Sequence, residues 1–208
     1  MKQKKVILFD WGGIVEAHKT GYSCRTAWQD LFIKCGYEGD GEIFGNLGKY
    51  RLGARRNMQE LENAYNEIAK DFKLNKSFEE FLTLYKEIFD KVDYYKDVAL
   101  YEVSLRDRCF IGILSNIMVI DKKRLDNQIN LRNYDYAFLS FEMGLRKPEK
   151  EIFLEVQKEL AIESSNILFI DDIKYNVDAA LSCGWNAYQI TGLELDKIKE
   201  VCEDFLRK

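Results

Sequence analysis

Four short runs of apolar residues, each ending abruptly at a small or acidic polar residue, constrain the fold more than any other feature of this chain. The runs cover residues 6–9, 110–114, 136–139 and 167–170, and they end before Asp10, Ser115, Ser140 and Asp171. None shows the alternation of a half-exposed strand. Continuous apolar runs of this length are typical of strands buried on both faces of a parallel sheet. A fifth candidate strand covers residues 186–190.

Segments with helical periodicity separate these candidate strands. We predict helices over residues 148–160, 175–183 and 193–206, the first with Pro148 at its start. The second ends before Gly184, a residue suited to the left-handed position that follows a helix. Strands that alternate with helices form right-handed βαβ units. The sequence therefore predicts an α/β fold with a doubly wound, Rossmann-like parallel sheet.

The block between about residues 17 and 91 breaks this alternation, because it contains helical patterns and no strand pattern. Helices are predicted over 22–34, 58–72 and 77–89, the last with Ser77 as its N-cap and Glu80 three residues later. We expect an α/β core of residues 1–16 and 92–208 and a helical cap domain of residues 17–91. The alternative is that these helices lie on the sheet itself.

Composition and charge narrow the functional classes. The 208 residues carry 31 Lys and Arg against 35 Asp and Glu, and a net charge of −4 does not favour non-specific binding to nucleic acids or anionic membranes. No apolar stretch approaches the roughly 20 residues of a membrane span, and the apolar run near the N-terminus is too short for a signal peptide. Five cysteines without a C-x-x-C pair fit reduced thiols. We expect a cytoplasmic monomer or weak homodimer with no nucleic-acid or membrane partner.

The polar residues that follow the strands are candidates for a functional site, because ligands of an open parallel sheet bind outside the carboxyl ends of its strands. Carboxylates that converge in one pocket repel each other unless a cation is present. A hard ion such as Mg²⁺, bound by carboxylates and substrate oxygens, resolves this conflict. The set combines three carboxylates, one ammonium group and small hydroxyl or amide groups: Asp10, Ser115, Asn116, Lys147, Asp171 and Asp172.

Four short motifs occur in order along the chain: VILFDWGGIV at 6–15, LSN at 114–116, RKPE at 146–149 and FIDD at 169–172, the last followed by Asn176. Together they resemble the four motifs of the haloacid dehalogenase-like (HAD) hydrolase superfamily. The helical insert lies where that family carries its type-1 cap. The stretch SFEMGLRKPE at 140–149 is similar to the branch that contains sugar-phosphate phosphatases and the phosphatase domain of soluble epoxide hydrolase. The resemblance spans residues 6 to about 190.

The resemblance implies a phosphatase that acts on a small phosphorylated metabolite, such as a sugar phosphate. Asp10 would attack phosphorus and form an aspartyl-phosphate, which divides one difficult displacement into two easier ones. Lys147 would neutralise the nucleophile and the charge that develops on the phosphoryl group. The phosphoryl group would be bound by Ser115, Asn116, Gly12 and Gly13.

The resemblance also implies a Mg²⁺ site. Asp172 would bind the metal directly, and Asp171 would lie in the surrounding shell or bind through water. A carboxylate oxygen of Asp10 and the main-chain carbonyl of Gly12 would complete the protein ligands. Asn176, one helical turn further on, would support the acidic loop, although a solvated helix residue is an equally good interpretation.

The chain departs from the family pattern at Gly12. Phosphatases of this family usually read Asp-x-Asp-Gly, and the second Asp protonates the leaving alkoxide and later activates water; here the chain reads Asp-Trp-Gly-Gly. A missing general acid-base typically lowers the rate by about 10²–10⁴-fold. Three hypotheses follow. The substrate carries a good leaving group, another residue such as Glu16 or His18 substitutes, or the protein is a phosphometabolite-binding or regulatory relative with little turnover.

A dehalogenase also uses an Asp nucleophile, but its chemistry expels a halide and needs no metal. The acidic pair of Asp171 and Asp172 therefore favours phosphoryl transfer. Trp11 lies one place too early to match the tyrosine that dehalogenases carry two residues after the nucleophile, so it is interpreted as a packing residue or part of the pocket wall.

Specificity is expected to come from the predicted cap. Its middle contains a basic segment with an aromatic edge, which could meet the distal part of an anionic substrate or form a solvated charge run. The residues concerned are Tyr50, Arg51, Arg55 and Arg56.

Overall fold

The computed structural model describes residues 5–16, 24–39, 41, 43 and 48–208. Its sheet contains five parallel strands in the order β3-β2-β1-β4-β5. The strands are β1 (Val6–Phe9), β2 (Phe110–Ser115), β3 (Tyr136–Leu139), β4 (Ile167–Asp171) and β5 (Asn186–Gln189). The predicted α/β fold with a doubly wound parallel sheet is confirmed.

Nine α-helices occur in the described part of the chain. They are α1 (Cys24–Lys34), α2 (Met58–Asp71), α3 (Phe78–Phe89), α4 (Lys96–Ser104), α5 (Lys122–Ile129), α6 (Ser140–Met143), α7 (Lys150–Leu160), α8 (Lys174–Ser182) and α9 (Leu195–Arg207). The helices predicted from periodicity begin and end within about two residues of these bounds, and the predicted start of α1 at residue 22 lies outside the described residues. Pro148 belongs to the turn before α7 rather than to its first turn, and α4, α5 and α6 were not predicted.

The three central strands β1, β2 and β4 are buried on both faces, as their apolar runs require, whereas the edge strands β3 and β5 are partly exposed. Alternate residues of β1 point to opposite faces: Ile7 and Phe9 pack against α4, α5 and α9, whereas Val6 and Leu8 pack against α7 and α8. The core strands therefore hold the loops at their carboxyl ends on a rigid base.

Helices α1 to α3 pack around a hydrophobic cluster of their own. This cluster joins residues from 27 to 92 with Met118 of the sheet's loops. Ser77 and Glu80 form the predicted capping box at the start of α3. The chain passes between this helical unit and the sheet at two adjacent points, where Glu16 pairs with Tyr94 and the Tyr95 N–H donates to the Val15 carbonyl at 2.7 Å. A cap formed by residues 17–91 would have its own hydrophobic cluster and two neighbouring connections to the sheet domain, and the structure has both features.

Within the described residues, no helix combines the length and the apolar character that crossing a bilayer requires.

Candidate active site

The strand order places the candidate residues at one point of the sheet edge. The chain runs from β1 outward through β2 to β3 and then returns to β4 on the other side of β1. A crevice forms where the direction of winding reverses, and ligands of such sheets bind there. Asp10 follows β1 and Asp171 ends β4, and the Asp10 N–H donates to the Ile170 carbonyl at 2.9 Å. The two acidic loops therefore flank the switch point.

Lys147 links these loops through a fully buried ammonium group. Its Nζ atom lies 3.0 Å from Asp10 Oδ2 and 2.7 Å from Asp171 Oδ2, and it donates to the Leu114 carbonyl at 2.8 Å. Burial acts to lower the pKa of this lysine, but the two carboxylates outweigh it and raise the pKa above its ordinary value. Lys147 is therefore held as a cation between the loops.

Asp10 is oriented from three directions. Its Oδ1 atom accepts from the Ser115 hydroxyl at 2.6 Å and from the Trp11 N–H at 2.7 Å, while Oδ2 faces Lys147. Burial, together with the charge of Asp171, raises the pKa of Asp10 to about 6 even though Lys147 and Ser115 oppose the shift. Ser115, expected at the phosphoryl group, thus contacts the expected nucleophile directly.

Asp171 uses both of its oxygens within the protein. It accepts from the Ile173 N–H at 2.7 Å and from the Asn176 amide at 3.1 and 3.0 Å, in addition to its contact with Lys147. Asn176 is buried, so it supports the acidic loop and is not a solvated helix residue. These contacts suit Asp171 to orienting its neighbours.

Asp172 faces the loop after β1 and is less buried than Asp171. A Cβ atom placed on Gly13 would come within 2.3 Å of the Asp172 carboxylate, and Gly13 has a positive φ of 73°. Glycine is therefore required at this position by both backbone conformation and close approach. Burial, followed by the charges of Asp10 and Asp171, raises the pKa of Asp172 to about 7.

The three carboxylates fit a divalent metal ion. Ligand oxygens of Asp10, Asp171 and Asp172 all lie within 4.8 Å of one another, in a setting that burial makes unfavourable for uncompensated negative charge. Oxygen donors of this kind are those that Mg²⁺ prefers, and it commonly uses one or two carboxylates with substrate oxygens. The residues present therefore fit the ion that the sequence predicts.

Asn116 makes a contact that the sequence did not suggest. Its amide donates to the Lys147 carbonyl at 2.8 Å and its carbonyl oxygen accepts from the Lys147 N–H at 2.9 Å. The side chain thereby fixes the main chain of the lysine loop. Any contact between Asn116 and a phosphoryl group would have to come from its backbone or from a rearranged amide.

Gly12 leaves space unfilled. A Cβ atom built there meets no atom within 4 Å among the described residues, and Gly12 lacks the positive φ of its neighbour Gly13. The side chain of Glu16 is buried and forms an ion pair with Arg124, so proton transfer from it would require breaking that pair. His18 lies outside the described residues.

A cavity of about 640 Å³ opens over these groups. One side is formed by the loops with Asp10, Lys147 and Asp172, and the other by aromatic residues of the helical unit. Arg124 and Asp121 also line it, and neither was singled out in the sequence. The aromatic residues of the helical unit that line the cavity are Trp28, Tyr85 and Phe89.

The basic segment, for which the sequence left open a substrate contact or a solvated charge run, makes contacts within the protein. Arg51 forms an ion pair with Glu149, the Arg56 guanidinium donates to the Met143 carbonyl at 2.9 Å, and Arg55 donates to the Tyr50 carbonyl. None of these four side chains lines the described part of the cavity. Arg51 and Arg56 thus join the helical unit to the loop before α7 and to the end of α6, a role that was not predicted.

Comparisons with known sequences give a partial match. No protein-family model matches the chain. Flavin mononucleotide hydrolase 1, a chloroplast protein of Arabidopsis thaliana, is 36% identical over 61 residues, which make up 29% of this chain and 25% of that protein. The chain therefore matches about a quarter of this relative's length.

The similarity to solved structures extends over nearly the whole chain. A HAD family enzyme from Bacteroides thetaiotaomicron, in complex with magnesium and inorganic phosphate, gives a TM-score of 0.70 at 22% identity over 91% of this chain and 96% of that one. A HAD-like family hydrolase from Porphyromonas gingivalis gives 0.66 at 21% identity over 95% and 97%. The L-2-haloacid dehalogenase from Xanthobacter autotrophicus, with chloropropionic acid covalently bound, gives 0.60 at 16% identity over 90% and 76%. The chain therefore has the fold of the HAD-like hydrolases, as its four motifs predict.

Proposed function

We propose that this protein is a Mg²⁺-dependent phosphatase that hydrolyses a small phosphorylated metabolite through an aspartyl-phosphate on Asp10. The observation that carries the proposal is the buried Lys147 ammonium group between Asp10 and Asp171, beside the carboxylate of Asp172. A cation and several carboxylates at one switch point match the needs of phosphoryl transfer, which depends mainly on positioning and charge stabilisation. Halide displacement, the chemistry of the dehalogenases that share this fold, needs no metal, so the acidic pair of Asp171 and Asp172 favours phosphoryl transfer.

The proposed reaction has two steps, and Asp10, Ser115 and Lys147 take part in it. An oxygen of Asp10 attacks phosphorus, the bond from phosphorus to the leaving oxygen breaks, and the alkoxide takes a proton from water. A second water then attacks the acyl phosphate, releasing inorganic phosphate and restoring the carboxylate. Ser115 holds Asp10 in position, and Lys147 offsets its charge.

The metal would be held by Asp10, Asp172 and the Gly12 carbonyl, with Asp171 oriented behind them by Asn176. When bound, Mg²⁺ supplies positive charge that offsets the carboxylates and the phosphoryl oxygens. We assign residues 17–91 as the cap that covers the cavity and excludes water from it. A cytoplasmic location and a monomeric or weakly dimeric state complete the proposal.

The open space at Gly12 favours a second candidate, a phosphometabolite-binding or regulatory protein with little turnover. A side chain that protonates the leaving group would occupy this space, and the structure offers only hydrogen there. Such a protein would retain the cation and the metal site for binding. It would show ligand-dependent thermal stabilisation without release of phosphate.

Release of p-nitrophenol from p-nitrophenyl phosphate, measured with Mg²⁺ and with EDTA, separates the two candidates. We expect metal-dependent turnover in the unmodified protein and its loss in Asp10→Asn. Asp178→Asn is a matched control, because Asp178 lies on the outer face of α8 and pairs with Lys174 on the surface. Turnover that is absent from the unmodified protein, or equal in Asp10→Asn, would refute the catalytic proposal.

A further inference from the structure

The cavity wall opposite the phosphoryl site is aromatic. Trp28 of α1 meets Tyr85 and Phe89 of α3 edge-to-face, at centroid distances of 5.7 and 5.3 Å, and the rings of Tyr85 and Phe89 stack at 4.2 Å. All three line the same cavity as Asp10 and Lys147. Trp28 is partly exposed, whereas Phe89 is buried.

Arg124 extends this wall toward the phosphoryl site. Its guanidinium carbon lies 4.5 Å from the ring centroid of Trp11 and 5.3 Å from that of Phe89. Guanidinium and aromatic groups in such contact form a continuous surface of flat faces. The wall therefore reaches from the helical unit to the residue that follows the nucleophile.

Two polar groups on this wall, the Tyr85 hydroxyl and the Arg124 guanidinium, already have partners within the protein. The Tyr85 hydroxyl donates to Asp121 at 2.5 Å, and Arg124 pairs with Asp121 at 2.8 Å and with Glu16. A hydroxyl-rich ligand loses hydrogen bonds to water when it enters such a pocket, and that loss is costly unless the site provides new ones. The wall thus suits a ligand with few hydroxyl groups in this region.

From these contacts we infer that the substrate's organic part is a planar aromatic ring system, held against the wall formed by Trp28, Tyr85, Phe89 and Arg124. This inference rests on the proposed phosphatase function and specifies its substrate class. The cavity volume of about 640 Å³ lies within the range of about 300–1,000 Å³ typical of small-molecule sites, so it has room for a ring system as well as a phosphoryl group. The aromatic wall favours aromatic phosphate esters over the sugar phosphates that the sequence resemblance suggests.

A matched pair of substrates isolates ring planarity. Benzyl phosphate and cyclohexylmethyl phosphate both release a primary alcohol, so they differ mainly in whether the ring is aromatic. We expect the unmodified protein to favour the benzyl ester in kcat/KM by at least about fivefold, the range expected for one or two aromatic contacts. A ratio near one, or in favour of the saturated ester, would overturn the inference.

Variants of Trp28 locate the preference. Trp28→Leu should reduce the benzyl preference to within about twofold, and Trp28→Phe should retain most of it. The matched control is Tyr188→Leu, because Tyr188 is an exposed aromatic residue on β5 that does not line the cavity. A preference that survives Trp28→Leu intact, with the fold verified by thermal unfolding, would contradict the assignment of the wall.

Binding measurements keep this test independent of turnover. Benzylphosphonate and cyclohexylmethylphosphonate carry a stable carbon–phosphorus bond, and their dissociation constants can be measured by calorimetry with Mg²⁺ present. Absence of turnover with tighter benzylphosphonate binding would refute the phosphatase and support the aromatic site. Turnover without any aromatic preference in rate or binding would support the phosphatase and refute the aromatic site. Failure of both phosphonates to bind would also overturn the inference.

Discussion

Replacing Gly12 with Asp tests whether the site lacks only a proton donor. The described structure has no atom within 4 Å of a Cβ at this position, and the backbone there is not left-handed, so an aspartate fits without strain. The new carboxyl group would lie two residues from Asp10, on the loop that faces Asp172. It would enter the space where the family pattern expects the general acid.

The expected gain follows from what a general acid contributes. A positioned proton donor typically accelerates a reaction by about 10²–10⁴-fold. We expect the low end, about 100-fold, because no described atom lies within 4 Å of a Cβ at Gly12 to hold the new side chain in place. This factor corresponds to about 2.7 kcal/mol in activation free energy. The gain should be large for benzyl phosphate, whose alkoxide needs a proton, and small for p-nitrophenyl phosphate, whose leaving group is stable without one.

Steady-state kinetics with both esters provide the assay, and Gly12→Asn is the matched control. Asparagine has nearly the same shape as aspartate but cannot act as a carboxylic acid. Gly12→Asp should therefore raise kcat on benzyl phosphate while Gly12→Asn does not. Equal rates in the two variants, with both folded and both responding to Mg²⁺, would refute the reasoning that the missing acid limits turnover.

Three further substitutions test other parts of the structure. Lys147→Met removes the ammonium group between two buried carboxylates, and the uncompensated charge should lower the free energy of urea unfolding by about 3–5 kcal/mol, with partial recovery in Mg²⁺. Gly13→Ala should weaken Mg²⁺ activation at least tenfold in a metal titration, because its methyl group would displace the Asp172 carboxylate. Glu102 is fully buried against the Tyr134 hydroxyl, and burial raises its pKa from 4.5 to about 8, so its contribution to stability is complete below pH 4.5 and is lost as the pH rises through 8. Glu102→Gln cannot titrate, so its free energy of unfolding should rise by about 3 kcal/mol relative to that of the unmodified protein between pH 5 and pH 8. If the unfolding free energies of the two proteins instead change in parallel with pH, Glu102 is not protonated in the folded state.

The sheet was predictable because its signal is local. Each of the central strands β1, β2 and β4 contains an apolar run, and the run is followed by the residue that the structure places at the carboxyl end of the strand: Asp10, Ser115 or Asp171. Helix α5 gave no comparable signal, since only Leu125 and Ile129 of its eight residues are buried. A single apolar pair one turn apart does not distinguish a helix from a loop.

The contacts between distant charges could not be predicted. Arg124 meets Glu16 across more than 100 residues of chain, and nothing in either neighbourhood specifies the other. The same holds for Asn116, whose amide seemed available for a phosphoryl group but pairs with the main chain of Lys147. Residue type and strand position indicated which groups converge, and only the structure showed which of them already bind other groups of the protein.

Two independent features, the glycine at position 12 and the aromatic wall, both favour a substrate whose phosphate is attached directly to an aromatic ring. Without a proton donor the leaving oxygen must depart as a stable anion, and an oxygen attached directly to an aromatic ring does so far more easily than an alkoxide. Phenyl phosphate should therefore be hydrolysed much faster than benzyl phosphate by the unmodified protein, although both rings fit the wall. Gly12→Asp should narrow this ratio by accelerating mainly the benzyl ester. If the ratio stays the same in both proteins, proton donation does not limit the reaction, and the open space at Gly12 has another cause.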